Sequence, residues 1–200
     1  MATTSSSSTH STHSTSAAGS GWSTKRIAVT ALFCAVAAIC TLVLEFPILP
    51  GVTWLQYDPS GIVALLAGFF FGPATGAVVS IIPYFVHFAT AGGVYGMLMA
   101  VLATFSLVMP ASLVYKKNHT MRGAIAGMVL GGIICLAACI VGNLIVTPLY
   151  AGMSVDAVVA LIVPALLPFN IFKIVINCVV AGLLLKPASK AIGVAGPSEK

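Results

Sequence analysis

The sequence predicts an all-α, polytopic membrane protein: six transmembrane helices with both termini in the cytoplasm. Three observations carry this. Of the 200 residues, 59% are hydrophobic and only 6% are charged, against roughly 25% charged in a soluble domain. So few charges cannot build a water-exposed surface, and lipid must be the solvent for most of the outside. A span needs about 20 apolar residues, so the chain holds five or six spans and no separate soluble catalytic domain. Finally, the Lys and Arg residues behind the net charge of +5 sit at the ends of the apolar runs. That is where topology determinants lie, and it argues against a nucleic-acid partner.

The elements follow in order. Residues 1–24 form a Ser/Thr/His-rich segment, expected to be a disordered cytoplasmic tail because it cannot bury a core. His10 and His13 lie in it, and weak metal binding is the lesser reading of that pair. Lys25 and Arg26 precede an apolar run from Ile27 to Leu44. The run is too long for a signal peptide and meets Glu45-Phe46-Pro47 rather than a small-residue cleavage site, so it is the first span. Phe46 to Ser60 is expected to be a long loop, with Trp54 and Tyr57 at an interface. Gly61–Phe71 is a short apolar segment, and Gly72-Pro73 separates it from Ala74–Ala89. Gly92-Gly93 breaks the chain again before Val94–Tyr115. Lys116 to Arg122 is a basic loop. Gly123–Val146 is the fifth span, Thr147–Pro164 a loop containing Asp156, and Ala165–Leu185 the last span. Residues 25–190 are thus the membrane domain, and 191–200 a short cytoplasmic tail.

Parity decides the number of spans. Basic residues flank the first span, fill the loop after Tyr115, and follow the last span at Lys186 and Lys190. The positive-inside rule places all three in the cytoplasm. This holds if Gly72-Pro73 is a turn between two spans, and fails if Gly61–Ala89 is one.

Small residues repeat on two helix faces. Ala28, Ala31, Ala35 and Ala38 share one face of the first span, and Gly123, Gly127 and Gly131 make two G-xxx-G steps on the fifth. Such faces admit close backbone approach in lipid, either within this bundle or against another membrane subunit. The cysteines Cys34, Cys40, Cys135, Cys139 and Cys178 all lie in apolar runs and read as small packing residues.

Lys173 is the residue most in need of a role. It lies inside the last span, about 20 Å of helix from Lys186, and an intramembrane charge marks a functional site by default. Asn170 shares its face one turn away, and Asn143 lies near the same end of the fifth span. Two amides and an ammonium suit a neutral ligand that makes several hydrogen bonds. The alternative is that Lys173 snorkels to the headgroups. Asn177, a turn further along, is a candidate for a helix–helix hydrogen bond. His87 has no partner for nucleophilic catalysis, acidic residues are too sparse for a metal site, and no hydrolase, metalloprotease or P-loop motif is present. The chain is read as a transport or binding protein without cofactor, not an enzyme.

Leu44-Glu45-Phe46-Pro47, followed by Tyr57-Asp58-Pro59-Ser60-Gly61 and Phe71-Gly72-Pro73, resembles the substrate-binding (S) components of energy-coupling factor (ECF) vitamin transporters. Asn143 with Thr147-Pro148-Leu149-Tyr150, and Leu167-Pro168-Phe169-Asn170-Ile171-Phe172-Lys173, resemble the riboflavin-specific branch. The similarity runs from about Lys25 to Lys186. It implies six helices and an outward-facing cavity under the first external loop. It also implies that Asn143, Asn170 and Lys173 contact riboflavin or a related flavin, with Trp54, Leu55 and Tyr57 covering it. The Ala31-x-x-x-Ala35 face would dock the transmembrane coupling subunit, itself bound to two ATPase subunits, in the cell membrane. Two departures widen the ligand class: Pro83 stands where riboflavin members often have a Lys before the histidine, and Gly96–Val101 lacks a common Asn. The alternatives are an S component for another small vitamin or precursor, and a non-transporting membrane scaffold or assembly protein.

Overall fold

The computed structural model describes residues 22–89 and 93–198. Of the tail expected over residues 1–24, residues 1–21, with His10 and His13, lie outside them, as does Gly92; Ser23 and Thr24 belong instead to the start of the first helix. Helix α1 spans Thr24–Val43, opened by Ser23, whose side chain accepts from the Arg26 amide. Strands β1 (Phe46–Pro47) and β2 (Gln56–Tyr57) pair antiparallel, Phe46 opposite Tyr57. Then come α2 (Ser60–Phe71), α3 (Pro73–Val79) and a 3-10 segment over Ile82–Ala89. Helices α4 (Gly93–Lys117) and α5 (Met121–Ala151) follow, then the short α6 (Val155–Ala160), a π turn over Ile162–Leu166, and α7 (Leu167–Ile192). Among the described residues, four helices are long and apolar enough to cross a membrane: Thr24–Val43, Gly93–Lys117, Met121–Ala151 and Ile162–Ile192. Ser60–Phe71 and Pro73–Ala89 are apolar but shorter.

The elements depart from the sequence expectation at several places. Phe46 to Ser60 is not a plain loop but carries the β1–β2 ribbon. Thr147-Pro148 does not end the fifth helix, which continues to Ala151. Proline removes one backbone donor and crowds the preceding turn, yet the helix carries Pro148 in its last turn without ending there. The expected loop Thr147–Pro164 contains α6, capped by Ser154, whose side chain accepts from the Ala157 amide. The segment Ala74–Ala89 is not one α-helix, because α3 stops at Val79 and Pro83 sits in a tighter 3-10 run. At the other end of the chain, Ser198 donates its amide and its hydroxyl to the His119 carbonyl, each at 2.9 Å, so the expected C-terminal tail lies against the α4–α5 turn.

Gly72-Pro73 makes the turn that the parity argument needs. Gly72 has φ of 87°, open to glycine without strain, and Pro73 opens α3. Arg26 of α1 secures this turn: its Nη2 donates to the Phe71 carbonyl at 3.0 Å and its Nε to Thr75 Oγ1 at 3.2 Å. Phe71 ends α2, so the guanidinium satisfies a carbonyl that has no partner within the helix.

The core forms around α2. Ala64, Leu65, Leu66, Ala67 and Phe69 are buried, a helix apolar on all sides and enclosed on all sides. It packs against Leu107, Val108, Ala111 and Tyr115 of α4. The glycine steps of α5 face α4. A Cβ on Gly127 would stand 2.6 Å from the Ala111 carbonyl oxygen, and one on Gly131 would strike that of Leu107. Of the two readings of this glycine face, close packing inside the bundle is the one observed. The alanine face of α1 differs: Ala28, Ala31 and Ala35 are exposed, among exposed Leu32, Val36 and Ile39. The five cysteines are free thiols, with Cys135 donating to the Ala103 carbonyl.

Candidate ligand-binding site

A cavity of about 410 Å³ lies where the β1–β2 ribbon meets the ends of α4, α5 and α7. That volume is in the range of small-molecule sites. The loop contributes Thr53, Trp54 and Leu55; α4 contributes Tyr95, Gly96, Met99, Ala100 and Ala103. Helix α5 brings Cys139, Asn143 and Tyr150, and α7 brings Phe169, Asn170 and Lys173.

The side chains expected from the sequence are gathered here with one exception. Asn143, Asn170, Lys173, Trp54 and Leu55 all face the cavity; Tyr57 does not. Adjacent strand residues point to opposite faces, so Gln56 takes the cavity side. Tyr57 turns away, and its hydroxyl donates to Asn177 Oδ1 at 3.2 Å. Asn177 therefore makes an interelement hydrogen bond rather than lining the site. Tyr57 also packs edge-on against Phe46 and Phe172, which seats the ribbon on α7.

The two amides are held in place and still have capacity. Asn143 Nδ2 donates to the Cys139 carbonyl at 2.8 Å while its Oδ1 accepts from Thr147. Asn170 Nδ2 donates to the Leu166 carbonyl at 2.7 Å. An amide has two N–H groups and two carbonyl lone pairs, so each keeps donors and acceptors for a ligand. Both residues are buried, so their rotamers are fixed by surrounding structure. On another wall, Tyr150 stacks on Tyr95 with ring centres 5.8 Å apart, and Trp54 meets Tyr150 edge-on at 6.3 Å. Together these make a polar end and an aromatic wall, suited to a flat ring system with hydrogen-bonding edges.

The snorkelling alternative for Lys173 does not hold. Its Nζ lies 3.3 Å from Asp58 Oδ2, and the two side chains are only 11% and 3% exposed. Asp58 lies in the Phe46–Ser60 stretch expected to be a loop, and no role was expected of it. The signal was present, since an intramembrane ammonium needs a counter-ion and the chain has only four acidic residues. Asp58 Oδ1 accepts from the Ser60 amide at 3.0 Å, from the Ser60 hydroxyl, and from Thr41 of α1 at 3.4 Å. The chain continues from Ser60 to the Tyr84 hydroxyl at 2.7 Å and on to Thr104 of α4 at 2.5 Å. Burial disfavours the Asp58 carboxylate, but the Lys173 ammonium and the Ser60 hydrogen bonds outweigh it and hold its pKa below the ordinary value. Glu45 and His87 also line the cavity without having been foreseen as site residues. His87 stacks on Tyr84. Tyr95 and Met99 carry no sequence signal.

Breaking one partner of a buried pair strands the other charge, which costs about 3–5 kcal/mol, whereas removing both is far milder. We therefore expect Asp58→Asn and Lys173→Met each to lower thermal stability in detergent, and the double variant to lose much less than the sum. Simple additivity in a double-mutant cycle would show that the pair is not coupled.

A family model described as the substrate-specific component of ECF transporters matches residues 25–185. The riboflavin transporter RibU of Staphylococcus aureus (strain TCH60) is 28% identical over 169 residues, covering 81% of this chain and 89% of the relative. The riboflavin transporter FmnP of Bacillus subtilis (strain 168) is 26% identical over 178 residues, covering 82% and 93%. Among solved structures, the S component of a bacterial ECF transporter superposes with a TM-score of 0.73 at 27% identity, over 84% of this chain and 97% of that one. The family match spans most of the chain, and the superposed fold accompanies it: the chain belongs to the substrate-specific components of ECF transporters.

Proposed function

We propose that this multi-pass membrane protein captures riboflavin or a closely related flavin, as the S component of an ECF transporter. Uptake is energised by a transmembrane coupling subunit and two ATPase subunits. The observation that carries the flavin assignment is the cavity. Asn143, Asn170 and Lys173 converge on a polar end, and Trp54, Tyr95 and Tyr150 supply aromatic faces. An isoalloxazine ring offers carbonyls and ring nitrogens along one edge and apolar faces on both sides. The relatives named as riboflavin transporters support the same choice. Purified protein is expected to carry or bind a yellow flavin, seen by absorbance. In fluorescence-quenching titrations, Asn170→Ala and Lys173→Met should each weaken riboflavin binding about tenfold to a hundredfold, the loss of one partner in a desolvated site. Unchanged affinity in both variants would remove these residues from the site; no flavin binding by folded wild type would remove the ligand.

Six crossings with both termini in the cytoplasm remain our reading of the topology. The four long helices are supplemented by Ser60–Phe71 and Pro73–Ala89, joined by the tight turn at Gly72-Pro73. Only an even number of crossings keeps Lys25, Arg26, the Lys116–Arg122 turn and Lys186 on one side. The cavity and the β1–β2 ribbon then face outward. A single cysteine at position 118, in a background without the native cysteines, should be shielded from impermeant reagent in intact cells. Labelling there would defeat the six-span arrangement.

The exposed Ala31 and Ala35 face is the docking site for the coupling subunit. Small side chains on an outward face let a partner helix approach closely. Ala31→Leu or Ala35→Leu is expected to leave flavin titration curves in place while abolishing uptake and co-purification with the coupling subunit. Normal co-purification of either variant would place docking elsewhere.

A further inference from the structure

A second hollow lies away from the ligand cavity, on the bundle surface between α5 and α7. Its volume is about 520 Å³. Ile125, Val129 and Leu136 of α5 form one wall, and Ile171, Val175 and Gly182 of α7 the other. No charged side chain, hydroxyl or amide lines it. Gly132 and Gly182 leave its floor without side chains, and a Cβ on Gly182 would first meet the flexible end of Met128, at 3.5 Å. In a bilayer such a hollow takes up hydrocarbon. Left empty, its walls would forfeit dispersion contacts, and water gains nothing from a lining without hydrogen-bonding partners. The length agrees. The stretches 125–136 and 171–182 each cover about 17 Å of helix, close to one leaflet's share of a hydrocarbon core roughly 30 Å thick.

The mouth of the groove adds charge. Met121 and Leu183 mark the end farther from the ligand cavity. From there each wall runs on to a cation at helical spacing. Arg122 stands three residues before Ile125 on α5, and Lys186 four residues after Gly182 on α7. Both are exposed, and Lys190 follows one turn beyond Lys186. The carboxylates among the described residues lie elsewhere: Glu45 and Asp58 at the ligand cavity, Asp156 on α6. An apolar channel that ends between two cations matches an acyl chain attached to a phosphate headgroup. It favours a headgroup of net negative charge over a zwitterion.

We propose that the α5–α7 groove binds one anionic phospholipid, with an acyl chain between the helices and the headgroup at Arg122 and Lys186. The site is independent of the ligand assigned to the cavity. The test is native mass spectrometry on purified, delipidated full-length protein in detergent. The protein is titrated separately with palmitoyl-oleoyl phosphatidylglycerol and with the matching phosphatidylcholine. Wild type should hold one phosphatidylglycerol at least about fivefold more tightly than phosphatidylcholine, the factor that one cation contributes near an anionic headgroup. Arg122→Gln combined with Lys186→Gln should bring the two lipids to within about twofold of each other. Gly182→Leu and Val179→Phe fill the groove. Each should weaken the first bound lipid of either kind about fivefold or more, as methylenes lose their place. The two substitutions are independent, so a thermal melt that shows one unfolded leaves the other to be read. Equal affinity for both lipids in wild type, or a preference that survives the charge substitutions, overturns the proposal. Lipid binding unchanged in the folded groove variants overturns it as well. A dimer that these variants split would put a second copy in the groove, and the lipid site would fall.

Discussion

The buried Lys173–Asp58 pair is the constraint on which the rest of the site depends. An ammonium inside an apolar bundle is tolerated only beside a counter-charge, so the segment carrying Asp58 must be brought to α7. That requirement explains the ribbon. Phe46 paired with Tyr57 turns the chain back toward the bundle, and Tyr57 anchors it through Asn177 and Phe172. Asp58 then follows directly, two residues before α2 is entered at Ser60. The same carboxylate accepts from Thr41 of α1 and, through Ser60 and Tyr84, is linked to Thr104 of α4. A single charge pair thus ties together α1, α2, the 3-10 segment, α4 and α7 at the floor of the cavity.

Around that polar centre the bundle is held by shape rather than by charge. Between helices immersed in hydrocarbon there is no hydrophobic drive, and close packing takes its place. The glycine face of α5 against α4 is the clearest instance, with backbone against backbone near Ala111 and Leu107. The short α2 is enclosed by its neighbours and contributes core rather than surface. α1 presents an exposed apolar and alanine-rich face. Internal rigidity and an unsealed outer face are what a binding subunit needs if it holds a small molecule in one place and meets a partner in another.

The cavity has two separable parts that arise from different elements. Asn143 of α5 with Asn170 and Lys173 of α7 form its polar end, and Trp54 with Tyr95 and Tyr150 forms an aromatic wall.

Much of this was legible before any coordinates. Composition alone sets lipid as the solvent, because 6% charged residues cannot cover a water-exposed surface. The helical repeat placed Asn170 and Lys173 on one face, and Gly72-Pro73 was readable as a turn since glycine and proline act locally. What stayed hidden depended on contacts distant in sequence. Asp58 lies 115 residues from Lys173, and no local pattern pairs them. The orientation of Tyr57 depended on which face of a two-residue strand met α7. Whether a small-residue face packs inward or outward depended on the neighbour: the glycines of α5 found α4, while Ala28, Ala31 and Ala35 of α1 stay exposed among the described residues. The sequence by itself determined the solvent, the helices and the inventory of polar groups, all properties of local composition and period. Tertiary structure alone decided which polar groups meet, because a buried charge takes its partner wherever the packed chain brings one within reach.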